Sequence, residues 1–389
     1  MSRILVRGAR LIDGTGGTAV EPAVLLIAGG VIEAVGAEAA GRAAEAAAVW
    51  DLGDQTLLPG LIDCHNHLSL DPTLENYLHR MNDPLPELTL RASNSMKVDL
   101  FTGVTTSRCL GDKGFLDVAC RKAQAEGSLA GPRLLVATRG IRAAHGHGFV
   151  GYPFGGVEPI RAAVRENLLA GADLIKIYTT GTLRGPRQIG NYFSREEVQV
   201  AVDEAHRAGV PVATHCIGGP GLKLALETGI DVIEHGYFVT DAEIEALLKY
   251  DRWLVMTPSI FFTDARIRTL PPEMIDGHLR QREEVRLRLA AAIRAGVKLA
   301  VGTDAMHGGL AREIAYLVEM GATPAAALRA ATADAARMCG LGDRTGTLQK
   351  GKWADCIGVA GDPLADPCAL EQVRTVILGG RLVKPERAV

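Results

Sequence analysis

Residues 57–70 read LLPGLIDCHNHLSL, and the fold turns on how that stretch is read. Its apolar first half has the length and composition of a buried β-strand. The run ends on His65 and His67, two residues apart. Side chains on a strand alternate faces, so these two point the same way, roughly 7 Å apart along the backbone. Imidazoles leaning together from that spacing can share one ion at the roughly 2 Å that a zinc–nitrogen bond requires. A single His-x-His has a plain alternative, one ring capping the strand and the other meeting solvent. Its meaning therefore depends on the rest of the chain.

Downstream, strand-length apolar runs recur at 103–110, 132–141, 173–180, 211–217, 233–237, 253–259 and 298–305. Helical stretches separate most of them. In SREEVQVAVDEAHRAG (194–209), Ser194 and Glu197 make a capping box, and Val198, Ala201, Val202 and Ala205 share one face before Gly209 ends the helix. Thr240 and Glu243 repeat the device, and Thr323-Pro324 opens another helix. Eight strands alternating with helices over about 250 residues predict an α/β fold, a (β/α)8 TIM barrel. A doubly wound open sheet also alternates, but it often carries a Gly-rich phosphate loop, and the first βα junction here holds His-Asn-His instead. Before residue 57 the texture is short strands and turns, with a hairpin signal at Gly29-Gly30, and the tail returns to it around Gly379-Gly380. Both ends are expected to form one small β-sandwich domain, from 1–56 and 343–389, beside a barrel at 57–342.

The 389 residues include 42 basic and 45 acidic side chains, net −3, with no basic patch interleaved with aromatics, which argues against nucleic acid. No uncharged apolar run reaches membrane-spanning length, and the first residues lack a signal-peptide core. Seven cysteines without a Cys-x-x-Cys pair fit reduced thiols. A cytoplasmic homo-oligomer with a small-molecule substrate is the expectation.

In such a barrel the chemistry sits at the C-terminal strand ends. Read there, strand one supplies His65 and His67, strand four Lys176, strand five His215, strand six His235 and strand eight Asp304. Each alone has an ordinary explanation: a hydrogen-bonded core histidine, an aspartate capping the helix near Gly309, a lysine paired with Asp173. Together, four of ten histidines at strand ends with an aspartate on the last strand favour a metal centre. Lys176 lies between Ile175 and Ile177, where burial favours the neutral amine. A neutral amine reacts with carbon dioxide to give a carbamate, an anion whose two oxygens can bridge two cations. Four imidazoles, one carbamate and one aspartate suit two divalent ions, zinc first. Water shared by such ions ionises near neutral pH, and Asp304 is the candidate to take its proton and deliver it to the leaving group.

These residues resemble the amidohydrolase superfamily, in its binuclear branch with a carboxylated lysine. The likeness runs over nearly the whole chain, from PGLIDCHNH through DLIKIYTTG, DVIEHGYF and VGTDA to GTLQKGKWADCIGV. It implies that His65, His67 and Asp304 hold one metal, that His215 and His235 hold the other, and that Lys176 bridges them. Within the superfamily the chain is most similar to the imidazolonepropionase-like group and its Xaa-Pro and Xaa-Arg dipeptidases. HGHGFVGYP (145–153) resembles their substrate-contacting loop, which makes His147 a catalytic and His145 a substrate candidate. Where those dipeptidases carry His-Ala-Tyr after strand five, this chain has His215-Cys216-Ile217, and their small turn after the lysine strand is TTGTLRGPR here. Arg184 and Arg187 are candidates to fork onto a substrate carboxylate. Tyr178 and Tyr237, each two residues after a ligand, either line the mouth or pack, and His307 meets either substrate or a neighbouring loop. Residues 68–101 read as a long insert, a lid or an oligomer contact.

The implied reaction is hydrolysis of an amide bond in a small molecule, a dipeptide or an N-acyl amino acid. Carbamate, cyclic-amide or lactone hydrolysis would use the same centre. Ring deamination, typical of members with one metal and no strand-four lysine, fits less well. A non-catalytic scaffold would not need all six residues.

Overall fold

The computed structural model describes residues 2–17, 19–71, 77–183, 188–268, 270 and 272–384. Eight strands surround the barrel axis: β1 (Leu61–Asn66), β2 (Val104–Cys109), β3 (Arg133–Val136), β4 (Ile175–Tyr178), β5 (Val212–Cys216), β6 (Val232–His235), β7 (Trp253–Met256) and β8 (Lys298–Val301). Pairing is parallel from β1 to β3 and from β4 to β8. Two seams complete the ring. At β3–β4, the Asp173 amide donates to Val136 O at 2.8 Å and its carboxylate accepts from Val136 N at 2.9 Å. At β8–β1, the Asp304 amide donates to His65 O at 2.8 Å. Gly302 lies so close to β1 there that a Cβ would collide with His65 N.

A helix follows each strand: α1 (Leu85–Phe101), α2 (Leu116–Ala125), α3 (Val157–Leu169), α4 (Arg195–Arg207), α5 (Pro220–Thr228), α6 (Asp241–Lys249), α7 (Pro272–Ala295) and α8 (Leu310–Glu319). The capping boxes at Ser194 and Thr240 open α4 and α6 as expected. Each satisfies backbone N–H groups that the first turn leaves without a carbonyl.

Two expectations change. The strand anticipated over 57–65 is two strands. Thr56–Pro59 pairs antiparallel with Cys356–Val359, while β1 enters the barrel from Leu61. Gly60 makes the transfer, because a Cβ there would run into the Thr105 side chain. The anticipated insert at 68–101 is largely α1, whose Leu88, Ala92 and Met96 pack with Leu134 and Val136 of β3 at helical spacing. What precedes it includes a short turn of helix at Tyr77–Arg80 with His79 exposed, and residues outside the described set.

The chain ends supply two further sheets. One orders Val31–Val35, Val24–Ala28, Arg3–Arg7 and Ala48–Asp51; the other orders Arg10–Leu11, Thr56–Pro59, Cys356–Val359, Val373–Leu378 and Arg381–Lys384. Val6, Leu25 and Ile27 of the first pack against Leu57, Cys356 and Ile377 of the second, which makes the β-sandwich. Among the described residues no helix is long and apolar enough to cross a membrane.

Candidate active site

The C-terminal ends of the strands converge on a cluster of imidazoles. His65 and His235 ring centroids are 4.6 Å apart, His215 and His235 4.5 Å, and His65 and His67 5.5 Å. Three rings are held from behind through Nδ1. His65 Nδ1 lies 2.8 Å from Glu234 Oε2, His67 Nδ1 2.7 Å from Gly111 O, and His235 Nδ1 2.8 Å from Thr257 Oγ1. A carboxylate or carbonyl oxygen only accepts, so Nδ1 of His65 and His67 carries a proton, and in the neutral ring Nε2 turns its lone pair inward.

Asp304 Oδ1 lies 3.3 Å from His65 Nε2 and 3.6 Å from His67 Nε2. That spacing suits either a protonated imidazole donating from Nε2 to the carboxylate or a metal cation held between the two. Ligand atoms of His65, His235 and Asp304 fall within 4.8 Å of one another. Lys176 is fully buried and its Nζ has no hydrogen-bond partner, and His215 Nε2 is equally buried and unpartnered. Asp173, a conceivable partner for the lysine, is bound to Arg121 at 2.6 Å instead. Burial outweighs the attraction of Glu234 and Asp304 and lowers the Lys176 pKa to about 8. This donor set of imidazoles, a carboxylate and an unpaired amine fits divalent metal.

Below the cluster lies a support that the sequence did not announce. Glu234 is fully buried, and besides His65 it accepts from Arg108 Nη1 at 2.8 Å. The same Nη1 reaches Cys64 O at 2.9 Å, so Arg108 links β2, β6 and β1. Burial opposes ionisation of Glu234, but Arg108 and His65 overcome it and hold its carboxyl at about 2. Asp63 accepts from His65 N at 3.0 Å, Thr303 N at 3.1 Å and Thr303 Oγ1 at 2.7 Å, pinning the β8–β1 seam beneath Asp304. Replacing Arg108 by Met leaves Glu234 buried without its cation. Such a break costs about 3–5 kcal/mol, so Arg108→Met is expected to lower the unfolding midpoint sharply in a denaturant titration. An unchanged midpoint would show that the pair adds no stability.

The backbone is strained where the ligands project. His235 has φ 76°, Asp304 φ 49° and Ala305 φ 69°, the left-handed region that non-glycine residues seldom occupy. Each costs on the order of 1–3 kcal/mol, and such outliers cluster where function fixes a geometry. In β6 the turn at His235 lets consecutive residues serve one centre, Glu234 behind His65 and His235 beside it.

The remaining candidates fall in different places. His147 is half-buried with its ring 4.4 Å from His215. Tyr178 is buried, 5.9 Å from His215 and 6.4 Å from His147 between ring centroids. Tyr237 lies 5.1 Å from His235, and its hydroxyl contacts Thr257 Oγ1 at 2.5 Å. His145 is exposed and packs edge-on against Tyr192. His307 has both nitrogens engaged, Nδ1 with Asp99 at 3.0 Å and Nε2 with Leu70 O at 3.0 Å. Arg184 and Arg187 lie outside the described residues.

A β/α barrel with such a cluster at its mouth has the build of a hydrolase. The amidohydrolase family profile matches residues 56–383, and the chain belongs to that family. It is an amidohydrolase, an enzyme acting on carbon–nitrogen bonds. The ochratoxinase of Aspergillus niger is 31% identical over 373 residues, covering 84% of this chain and 75% of the relative. The crystal structure of A. niger ochratoxinase superposes with a TM-score of 0.87 at 26% identity, over 99% of this chain and 96% of that one. A Xaa-Pro dipeptidase crystallised with bound methionine in its active site gives a TM-score of 0.86 at 29% identity, over 98% and 100% of the two chains. An imidazolonepropionase of Mesorhizobium japonicum is 27% identical over 90% of this chain and 89% of its own.

Proposed function

We propose that this amidohydrolase cleaves the amide bond of a small molecule that carries an amino acid, a dipeptide or an N-acyl amino acid. The observation behind it is the pair of buried, unpartnered donors, Lys176 Nζ and His215 Nε2, beside three aimed imidazoles and a carboxylate. Similarity to a Xaa-Pro dipeptidase supports the substrate class. In this reading Lys176 is carboxylated, since an amine at about 8 keeps a reactive neutral fraction near neutral pH. His65, His67 and Asp304 hold one divalent ion, His215 and His235 the other, and the Lys176 carbamate lies between; zinc is the first choice. Bound ions supply Lewis acidity towards the substrate carbonyl and acidify water.

The chain's own residues do the rest. Glu234 and Gly111 O keep His65 and His67 aimed. Asp304 keeps 20% of its side chain exposed. From there it accepts a proton on its carboxylate and delivers it to the departing amine nitrogen. His147, beside His215, faces the substrate side. Seven free thiols suit a reducing compartment such as the cytoplasm.

The test is a pool of dipeptides and N-acyl amino acids incubated with zinc-loaded protein and followed by mass spectrometry. Cleavage by wild type and not by Asp304→Asn is expected. A metal-replete wild type that cleaves no member overturns the reading.

A further inference from the structure

Arg142 is a cation with no counter-ion among the described residues. It ends the short strand Ile141–Arg142, which follows β3 and pairs with β4 through Ile141 and Ile177, so it stands at the same end of the barrel as Tyr178. The residue is half-buried, and its Nε is buried with no hydrogen-bond partner. Among the described residues its Nη1 reaches only the carbonyl oxygens of Ala143 and Ala144, both at 3.1 Å. Among the described residues no carboxylate pairs with it. Desolvating a guanidinium is costly unless a partner compensates.

A second cation shares the condition. Lys113 Nζ donates to Phe149 O at 2.8 Å and lies 5.1 Å from the centre of the Tyr152 ring, again with no carboxylate among the described residues. Arg142 lies 5.0 Å from the centre of the Phe149 ring, so both cations border one residue. Burial, and after it the charge of Arg142, lowers the Lys113 pKa. That charge also reaches His147 and Tyr178. The carboxylates nearby are committed elsewhere: Asp112 accepts from Leu68 N and Ser69 N, and Asp304 sits in the metal cluster. A third donor is unspent, because the Tyr178 hydroxyl is buried without a partner. It presses on Gly140, where a Cβ would lie 3.2 Å from Oη.

We propose that Arg142, with Lys113 across Phe149 and Tyr178 at the same end of the barrel, receives the free carboxylate of the substrate's amino-acid half. The inference rests on the amide-hydrolase reading and narrows it to acids. His147 lies between the two regions, its ring centroid 4.4 Å from that of His215 and 6.4 Å from that of Tyr178. A guanidinium fork pairs bidentately with a carboxylate, and a neutral analogue is rejected because the cations would stay unpaired.

The test titrates L-proline, L-methionine and L-phenylalanine, and the carboxamide of each, into zinc-loaded protein by calorimetry. Wild type is expected to bind at least one acid about 10–100-fold more tightly than its amide, the range of a charged hydrogen-bonded contact. Arg142→Gln should remove that preference and leave amide affinity unchanged, and Lys113→Gln should reduce it in part. No preference in wild type overturns the proposal. So does a preference that survives Arg142→Gln, since another group, such as the metals, Arg184 or Arg187, would then hold the acid. Should Arg142→Gln fail to fold, Arg142→Lys decides: it keeps the charge, loses the fork, and must lower the preference. Turnover is not needed, so a chain that binds acids through Arg142 yet cleaves no amide overturns the hydrolase reading and leaves this subsite standing.

Discussion

Asp304→Asn is expected to lower kcat by about 10²–10⁴-fold, the usual worth of a positioned proton-transfer group, while the protein stays folded. Asparagine suits this test because the position is left-handed at φ 49°, a conformation it tolerates better than most residues. The hydrogen bond from the N–H of residue 304 to His65 O, which closes the β8–β1 seam, involves only backbone and persists. What is removed is the charge. Burial works against that charge, but His65 and His67 hold the Asp304 carboxyl well below its usual range. The measurement is steady-state kinetics with metal content assayed in parallel. Near-normal turnover in a metal-replete variant would take Asp304 out of the proton path, whereas loss of both metal and turnover would assign it to holding the ion.

Lys176→Met should have an effect of similar size through a different cause. The side chain is fully buried and its ammonium has no partner, so an apolar replacement of similar length is expected to fold at least as well. Loss of one ion forfeits several kcal/mol of charge stabilisation, which is on the order of 10³-fold in rate. Metal stoichiometry should fall with activity. Reconstituting metal-free wild type with zinc should also depend on bicarbonate, and carbon-13-labelled bicarbonate should give a carbamate resonance that the variant lacks. Full reconstitution in carbon-dioxide-free buffer with no such resonance would show that Lys176 acts as a free amine.

Much of the barrel is written locally. Each strand is a short apolar run, and the capping boxes of α4 and α6 need only four residues of context. The side chains gathered at the mouth were visible for the same reason, since strand periodicity and position at a strand end do not depend on distant partners. What escaped was long-range. Glu234 reads as one letter of IEHGY, and nothing near it in sequence says that its carboxylate meets His65 and Arg108. Arg108 sits in a strand where arginine would ordinarily reach solvent, and only β6 supplies its anion. Gly60 falls inside the run 57–65 that reads as one strand. Its need to be glycine comes from Thr105 on the neighbouring strand. Arg142 was passed over because the absence of a counter-ion is a property of the folded neighbourhood, not of the peptide.

The transfer at Gly60 bears on how the protein is made. Thr56–Pro59 is synthesised long before Cys356–Val359, the strand it pairs with. Until that partner emerges, Thr56–Pro59 has an open edge on this side, and open β-edges invite pairing with other chains. Slower growth at low temperature should therefore raise the soluble yield, and loss of the last strands should send the product into inclusion bodies, far as they lie from the chemistry.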